Sequence, residues 1–101
     1  MNNFCTYIIQ SEKSGRFYIG HSHNFEERIL KHNSGGVIAT RNKGPWKLVY
    51  SESFISKLEA NQRELDIKKR KSRKYIISLI LNSAVRFKLP DIQLVRVLNI
   101  N

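Results

Sequence analysis

Two short apolar and aromatic runs, residues 4–9 (FCTYII) and 17–20 (FYIG), flank the polar stretch Ser11-Glu12-Lys13-Ser14-Gly15. Two β-prone runs joined by a short glycine-bearing connection read as a β-hairpin. Each run carries one tyrosine, Tyr7 and Tyr18. Pairing of the runs places both phenols near one end of the sheet, with the register left open. Tyrosine is also an ordinary strand residue, so a pure packing role is open as well.

At 101 residues the chain suits a single domain with one modest core, and 41% hydrophobic content is enough to build it. Eighteen Lys and Arg stand against eight acids, giving a net charge of +10. That excess points to a polyanionic partner, nucleic acid first and an anionic membrane surface second. No apolar leader precedes the first strand, and the run at residues 76–81 is far too short to span a bilayer. A single cysteine, Cys5, has no internal disulfide partner. A reducing cytoplasmic setting and a soluble, membrane-free life are therefore expected, with Cys5 as a small buried hydrophobe.

Beyond the hairpin, Asn24 or Ser22 can cap a helix reading FEERILKHN, with Glu26 and Glu27 in its first turn. Phe25, Ile29 and His32 share one face, and Arg28 and His32 are one turn apart on a second. The sequence NSGG at 33–36 ends this helix. Residues 37–45 form a loop carrying Arg41 and Lys43. Residues 46–54, opening WKLVY, then supply a third strand, with Trp46 read as a core-covering residue. Ser56 and Glu59 make a capping box for a second helix, residues 56–71. On it Leu58 and Leu65 lie on one face, while Ala60, Glu64 and Ile67 lie on another. Glu64 thus sits between a small and an apolar residue, although a surface glutamate beside a basic run has the same look. Six of the seven residues from 68 to 74 are basic: Lys68, Lys69, Arg70, Lys71, Arg73 and Lys74. Such a run is either a solvated junction between helices or a phosphate contact. Residues 75–81 predict a third helix. Leu89-Pro90-Asp91 breaks the chain, and IQLVRVLNI after it fits a strand, a short helix or an interface segment equally.

The Cys5-Thr6-Tyr7 run, the Tyr18-Ile19-Gly20 run about ten residues later, and Glu59-Ala60 leading to Glu64 and Ile67-Lys68 together resemble the GIY-YIG nuclease family. The resemblance covers roughly residues 4–81, and the Lys/Arg-rich junction is similar to that of its small single-domain members. It implies a small α/β (α+β) domain: a three-stranded, mostly antiparallel sheet packed by about three helices. It divides the chain into a domain at 1–81 and a C-terminal extension at 82–101. It also implies an endonuclease hydrolysing phosphodiester bonds in DNA or another structured nucleic acid. In that reading Tyr7 or Tyr18 accepts the nucleophile's proton, Arg28 and His32 face the site, and Glu64 holds Mg²⁺ or Mn²⁺. Arg41, Lys43 and the basic run contact nucleic acid. Two positions depart from the family pattern. Cys5-Thr6 replaces Gly-Ile, and His21 follows Tyr-Ile-Gly where many relatives place lysine.

The residues suit that chemistry. Magnesium keeps most of its waters, so one carboxylate can hold it. Arginine offers a fork of donors to a phosphate. Tyrosine is a weak base, with a pKa of about 10, and needs a neighbouring cation to act. His21 can relay a proton but carries less fixed charge than lysine. A nucleophile elbow and a phosphate-binding P-loop are both missing from the sequence, and His21 with His23 make a poor zinc site. A non-catalytic nucleic-acid-binding module on the same fold is the alternative, followed by an interaction protein using its C-terminal tail.

Overall fold

A computed structural model describes residues 4–87, with side chains through residue 83. The chain runs β1 (Phe4–Ser11), β2 (Phe17–Ser22), α1 (Phe25–Ser34), a 3-10 turn (Ile38–Thr40), β3 (Trp46–Phe54), α2 (Lys57–Arg70) and α3 (Arg73–Phe87). The sheet order is β2-β1-β3, and both pairings are antiparallel. The expected hairpin and third strand are therefore present. The turn between β1 and β2 is organised by Ser11, whose Oγ accepts from the Lys13 and Ser14 amides at 3.2 and 3.1 Å. A hydroxyl that satisfies two turn amides competes with further strand pairing and closes the loop.

β1 is the central strand and is buried on both faces from Thr6 to Ser11. Alternation of side chains splits it between two cores. Ile8 joins Ile67 of α2 and Ile76 and Ile80 of α3, with Phe17, Ile19, Val49 and Tyr50 around them. Tyr7 and Ile9 join Trp46, with Tyr18, Phe25 and Ile29 packed against them. So α1 covers one face of the sheet, and α2 with α3 covers the other. On β3, Ile8 faces Tyr50 but Ile9 faces Leu48, so Val49 is the extra residue of a β-bulge. The bulge puts the sequence neighbours Val49 and Tyr50 on one core while Trp46 serves the other.

Helix ends follow the sequence signals. Asn24 caps α1 by accepting from the Glu27 amide, and Ser22 Oγ in turn accepts from the Asn24 amide at 3.0 Å. Gly35, with φ 86°, ends α1 in the left-handed conformation. Ser56 caps α2 by accepting from the Glu59 amide and donates to the Glu59 carboxylate at 2.9 Å. The basic run is not an open linker. Lys68, Lys69 and Arg70 form the last turn of α2, where the helix dipole favours cations. Lys71 reverses the backbone with φ 46°. Ser72 Oγ then accepts from the Tyr75 amide at 3.0 Å. That cap starts α3 at Arg73, earlier than the expected residue 75, and the helix runs on to Phe87, past residue 81. The face bearing Leu58 and Leu65 is not a core face, since the two are 65% and 54% exposed. The 88–101 segment, with the undecided IQLVRVLNI, lies outside the described residues. Among the described residues, no helix is long and apolar enough to cross a membrane.

Gly20 faces Tyr7 across the β1–β2 ladder. A Cβ placed on it would stand 2.5 Å from the Tyr7 hydroxyl and 2.7 Å from Cζ. The phenol occupies the space that any other residue would fill. Gly20→Ala is therefore expected to destabilise the fold by about 1–3 kcal/mol, as overpacking of a filled core does. Urea unfolding measures it, and an unchanged midpoint would show that the phenol moves aside at no cost.

Candidate functional site

Tyr7 and Tyr18 project from the same sheet face, Tyr7 opposite Gly20 and Tyr18 opposite Ile9. The hairpin thus brings the two phenols together, as the pairing of the runs requires. His32 of α1 packs edge-on to both rings, with centroids 5.8 Å from Tyr7 and 5.1 Å from Tyr18. The Tyr7 hydroxyl and His32 Nε2 are hydrogen-bonded at 2.7 Å. The other imidazole nitrogen, Nδ1, is 2.8 Å from Thr40 Oγ1. Tyr7, His32 and Thr40 are all buried, with 0%, 2% and 1% exposure. Tyr18 is half-buried and packs on Trp46.

Arg28 lies one turn before His32, and its guanidinium acts on the Tyr7 phenol, lowering its pKa against the effect of burial. Its Nε is buried and has no hydrogen-bond partner among the described residues. A buried guanidinium nitrogen without an acceptor is a costly arrangement that an anion relieves. Burial pushes the Tyr7 phenol up to about 12, and the Arg28 guanidinium works against that rise. Burial, reinforced by the Arg28 charge, lowers the His32 imidazole to about 4. At rest both groups are neutral at pH 7.

Glu64 approaches from the opposite side of the sheet. Ala60 and Ile67 anchor α2, with Thr6 Oγ1 donating to the Ala60 carbonyl at 2.6 Å. Glu64, between them in sequence, reaches the β2 edge, where its Oε1 is 2.6 Å from His21 Nδ1. Its Oε2 accepts from Lys68 Nζ at 2.5 Å. The side chain is only 12% exposed. The Lys68 ammonium also lies 5.9 Å over the Tyr18 ring. Glu64 is therefore a paired, mostly buried carboxylate and not a solvated surface glutamate. A hard oxygen donor of this kind fits Mg²⁺ or Mn²⁺. No group of three metal-ligating side chains is present among the described residues. An ion at Glu64 would keep most of its waters, and His21 with His23 do not assemble a zinc site. Beside the site, a cleft of about 830 Å³ is lined by His21, His23, Arg28, Lys31 and Lys57 among others.

The residues assigned to nucleic-acid contact separate into two groups. Lys69, Lys71 and Lys74 are exposed. Others have structural partners: Arg41 Nε donates to the Gly35 carbonyl at 2.8 Å and Lys43 Nζ to that of Ala39 at 3.2 Å. Arg70 stacks on Tyr75 at 4.2 Å and Arg73 on Phe17 at 4.7 Å. Lys68 belongs with Glu64 as much as with any phosphate. Two features were not read from the sequence. Thr40 lies in a stretch read only as a loop with basic residues, and the only signal was a small polar residue after an apolar triplet. Asn33 binds both the Trp46 amide and carbonyl, at 2.7 and 3.1 Å, and so ties the end of α1 to the start of β3. A helix-terminal asparagine gives no sequence hint of so distant a partner.

The family model described as the GIY-YIG catalytic domain matches residues 3–76. A UPF0213 protein of Clostridium perfringens is 42% identical over 79% of this chain and 85% of its own. The UPF0213 protein YazA of Bacillus subtilis is 35% identical over 89% of this chain and 95% of its own. The solution NMR structure of a UPF0213 protein from Bacillus halodurans is similar with a TM-score of 0.48 and 38% identity, covering 76% of this chain and 84% of that one.

A buried neutral histidine makes folding sensitive to acid. Above the unfolded value of 6.5 neither state holds the proton. Between 6.5 and about 4 the unfolded chain binds it and the folded one does not, so stability falls as pH falls through this window. The loss amounts to about 3 kcal/mol by pH 4. An NMR titration of the His32 ring checks this directly; a midpoint near 6.5 would contradict it.

Proposed function

The chain belongs to the GIY-YIG catalytic domain family, and on that premise we propose that it is an endonuclease that hydrolyses phosphodiester bonds in DNA or structured nucleic acid with Mg²⁺ or Mn²⁺. The observation that carries the reading is Arg28. Its Nε is buried and unpartnered among the described residues, and its charge acts on the Tyr7 phenol, on a protein of net charge +10. A phosphodiester oxygen supplies the missing acceptor. The proposed roles then follow from what each side chain touches. Arg28 holds the phosphate and stabilises charge building on its oxygens. Tyr7 takes the proton of the attacking water while passing its own to His32 Nε2. Unassisted, a phenol at about 12 and an imidazole at about 4 would both resist that transfer. A bound phosphate offsets the Arg28 charge, one of the two causes that depress His32. Tyr18, half-buried between His32 and Lys68, lines the entry and orients the nucleophile. Glu64 would hold the divalent ion, which supplies Lewis-acid charge to the phosphate and the leaving oxygen. Lys68 and His21 hold the two carboxylate oxygens, and one of them would have to give way for the ion to bind there.

Glu64→Gln keeps the size of the side chain and its helix propensity but removes the charge. It is expected to fold, to bind nucleic acid at least as well as wild type, and to lose Mg²⁺-dependent nicking. Tyr7→Phe, in the same assay, is expected to bind normally and lose about 10²- to 10⁴-fold in rate. Full cleavage by Glu64→Gln would overturn the metal role. Binding by wild type without cutting under either metal would indicate a non-catalytic module, whose expected surface would have these same basic residues.

The exposed lysines carry a separate expectation. Changing Lys69, Lys71 and Lys74 together to Gln should weaken binding to all sequences alike, because such contacts go to the backbone. The slope of log affinity against log salt should flatten by up to about 0.9 per lost contact on duplex DNA. An unaltered slope would leave these lysines as a solvated junction.

A further inference from the structure

The Thr40 hydroxyl lies at the inner end of a line of hydrogen bonds that runs from Tyr7 through His32. We propose that Thr40 is a positioning residue that holds the His32 imidazole in the tautomer whose Nε2 lone pair faces the Tyr7 hydroxyl, giving the phenol proton an outlet. The inference rests on the reading of Tyr7 as proton acceptor.

The Tyr7 end of the line sets its direction. The Arg28 guanidinium, whose charge acts on the Tyr7 phenol, can only donate. At the other end, the Val37 carbonyl can only accept, and Thr40 Oγ1 lies 3.4 Å from it. A threonine hydroxyl has one proton. Given to Val37, it leaves the Thr40 oxygen as acceptor for His32 Nδ1–H at 2.8 Å. With Nδ1 protonated in a neutral ring, Nε2 carries a lone pair and takes the Tyr7 proton at 2.7 Å. The reverse direction fails at Tyr7. There the phenol oxygen would accept from Nε2–H, and its own proton would need another acceptor in a pocket where Tyr7 is 0% exposed and Arg28 can only donate.

The backbone holds Thr40 where this requires it. Its amide donates to the Val37 carbonyl at 3.2 Å in the 3-10 turn, and its carbonyl accepts from Trp46 Nε1 at 3.2 Å. Trp46 is in turn clamped by Asn33, the residue after His32. The hydroxyl is thus tied to the helix that carries the histidine it orients.

Thr40→Val keeps the shape and removes the hydroxyl. Nδ1–H then has no acceptor in a buried pocket, and the proton moves to Nε2. That nitrogen now presents a donor to Tyr7 and cannot take its proton. Thr40→Ser keeps the hydroxyl and serves as the rescue. The ring ¹⁵N shifts of His32, read in the full chain by long-range NMR correlation, report the tautomer without any turnover. Wild type and Thr40→Ser should show the Nδ1–H form, and Thr40→Val the Nε2–H form. In a nicking assay with Mg²⁺, Thr40→Val should bind nucleic acid as wild type does and cut about 10²-fold more slowly, while Thr40→Ser should cut near the wild-type rate. An unchanged tautomer in Thr40→Val overturns the proposal, and so does wild-type cutting by a Thr40→Val protein whose tautomer has switched. If wild type itself does not cut, the nuclease reading fails by itself, and the ring shifts still decide whether Thr40 sets the tautomer.

Discussion

A full-sized phenol lying over a residue with no side chain is the contact on which the rest depends. Tyr7 is on the central strand, and Gly20 is its neighbour on the edge strand. Because Gly20 leaves the space open, the ring reaches across β2 toward the sheet's edge and does not stand straight up from β1. Its hydroxyl comes to His32 on α1, and the Arg28 charge of the same helix acts on it. On the other face, α2 carries Glu64 to the same edge strand through His21. Two cores on opposite faces of one sheet thus deliver chemistry to one line along β2.

The sequence was most informative where local rules dominate. Alternation and turn chemistry exposed the hairpin, and Asn24, Gly35 and Ser56 marked helix ends through capping that needs no distant partner. The spacing of Ala60, Glu64 and Ile67 separated one glutamate from its neighbours, and Glu64 is indeed mostly buried. Long-range pairings were invisible. Nothing in the order of residues says that His21 meets Glu64, or that Thr40 meets His32. Leu58 and Leu65, seven residues apart on one face of α2, lie on its exposed side. The basic run could be read as a solvated junction or as a phosphate contact, with six like charges in seven residues repelling one another. The favourable C-terminal dipole of α2 and the pairing of Arg70 with Asp66 and Tyr75 reduce that repulsion.

Charge is graded across the molecule. Nearer the core, charges are paired: Arg63 bridges Glu52 and Asp66, and Glu64 is held by His21 and Lys68, while the buried Arg28 Nε has no partner among the described residues. Outward, Arg70 and Arg73 lie flat on aromatic rings, which limits their conformations while keeping their charge. At the outer edge Lys69, Lys71 and Lys74 are exposed. Surface ion pairs of this sort add little stability in water. Their larger effect is on geometry, because the paired groups are fixed and the exposed ones stay free to follow a flexible polyanion.

Lys71 shows how such a charge can conflict with the chain that carries it. Its φ of 46° belongs to the left-handed region, which costs an L-residue about 1 kcal/mol or more relative to glycine. A glycine at that position would relax the joint between α2 and α3 and, in the same step, remove a cation from the middle of the basic run. Thermal robustness and attraction for anions are therefore opposed at a single residue. A version of this protein selected only for heat resistance would tend to drift toward weaker grip at this corner, with no change elsewhere in the fold.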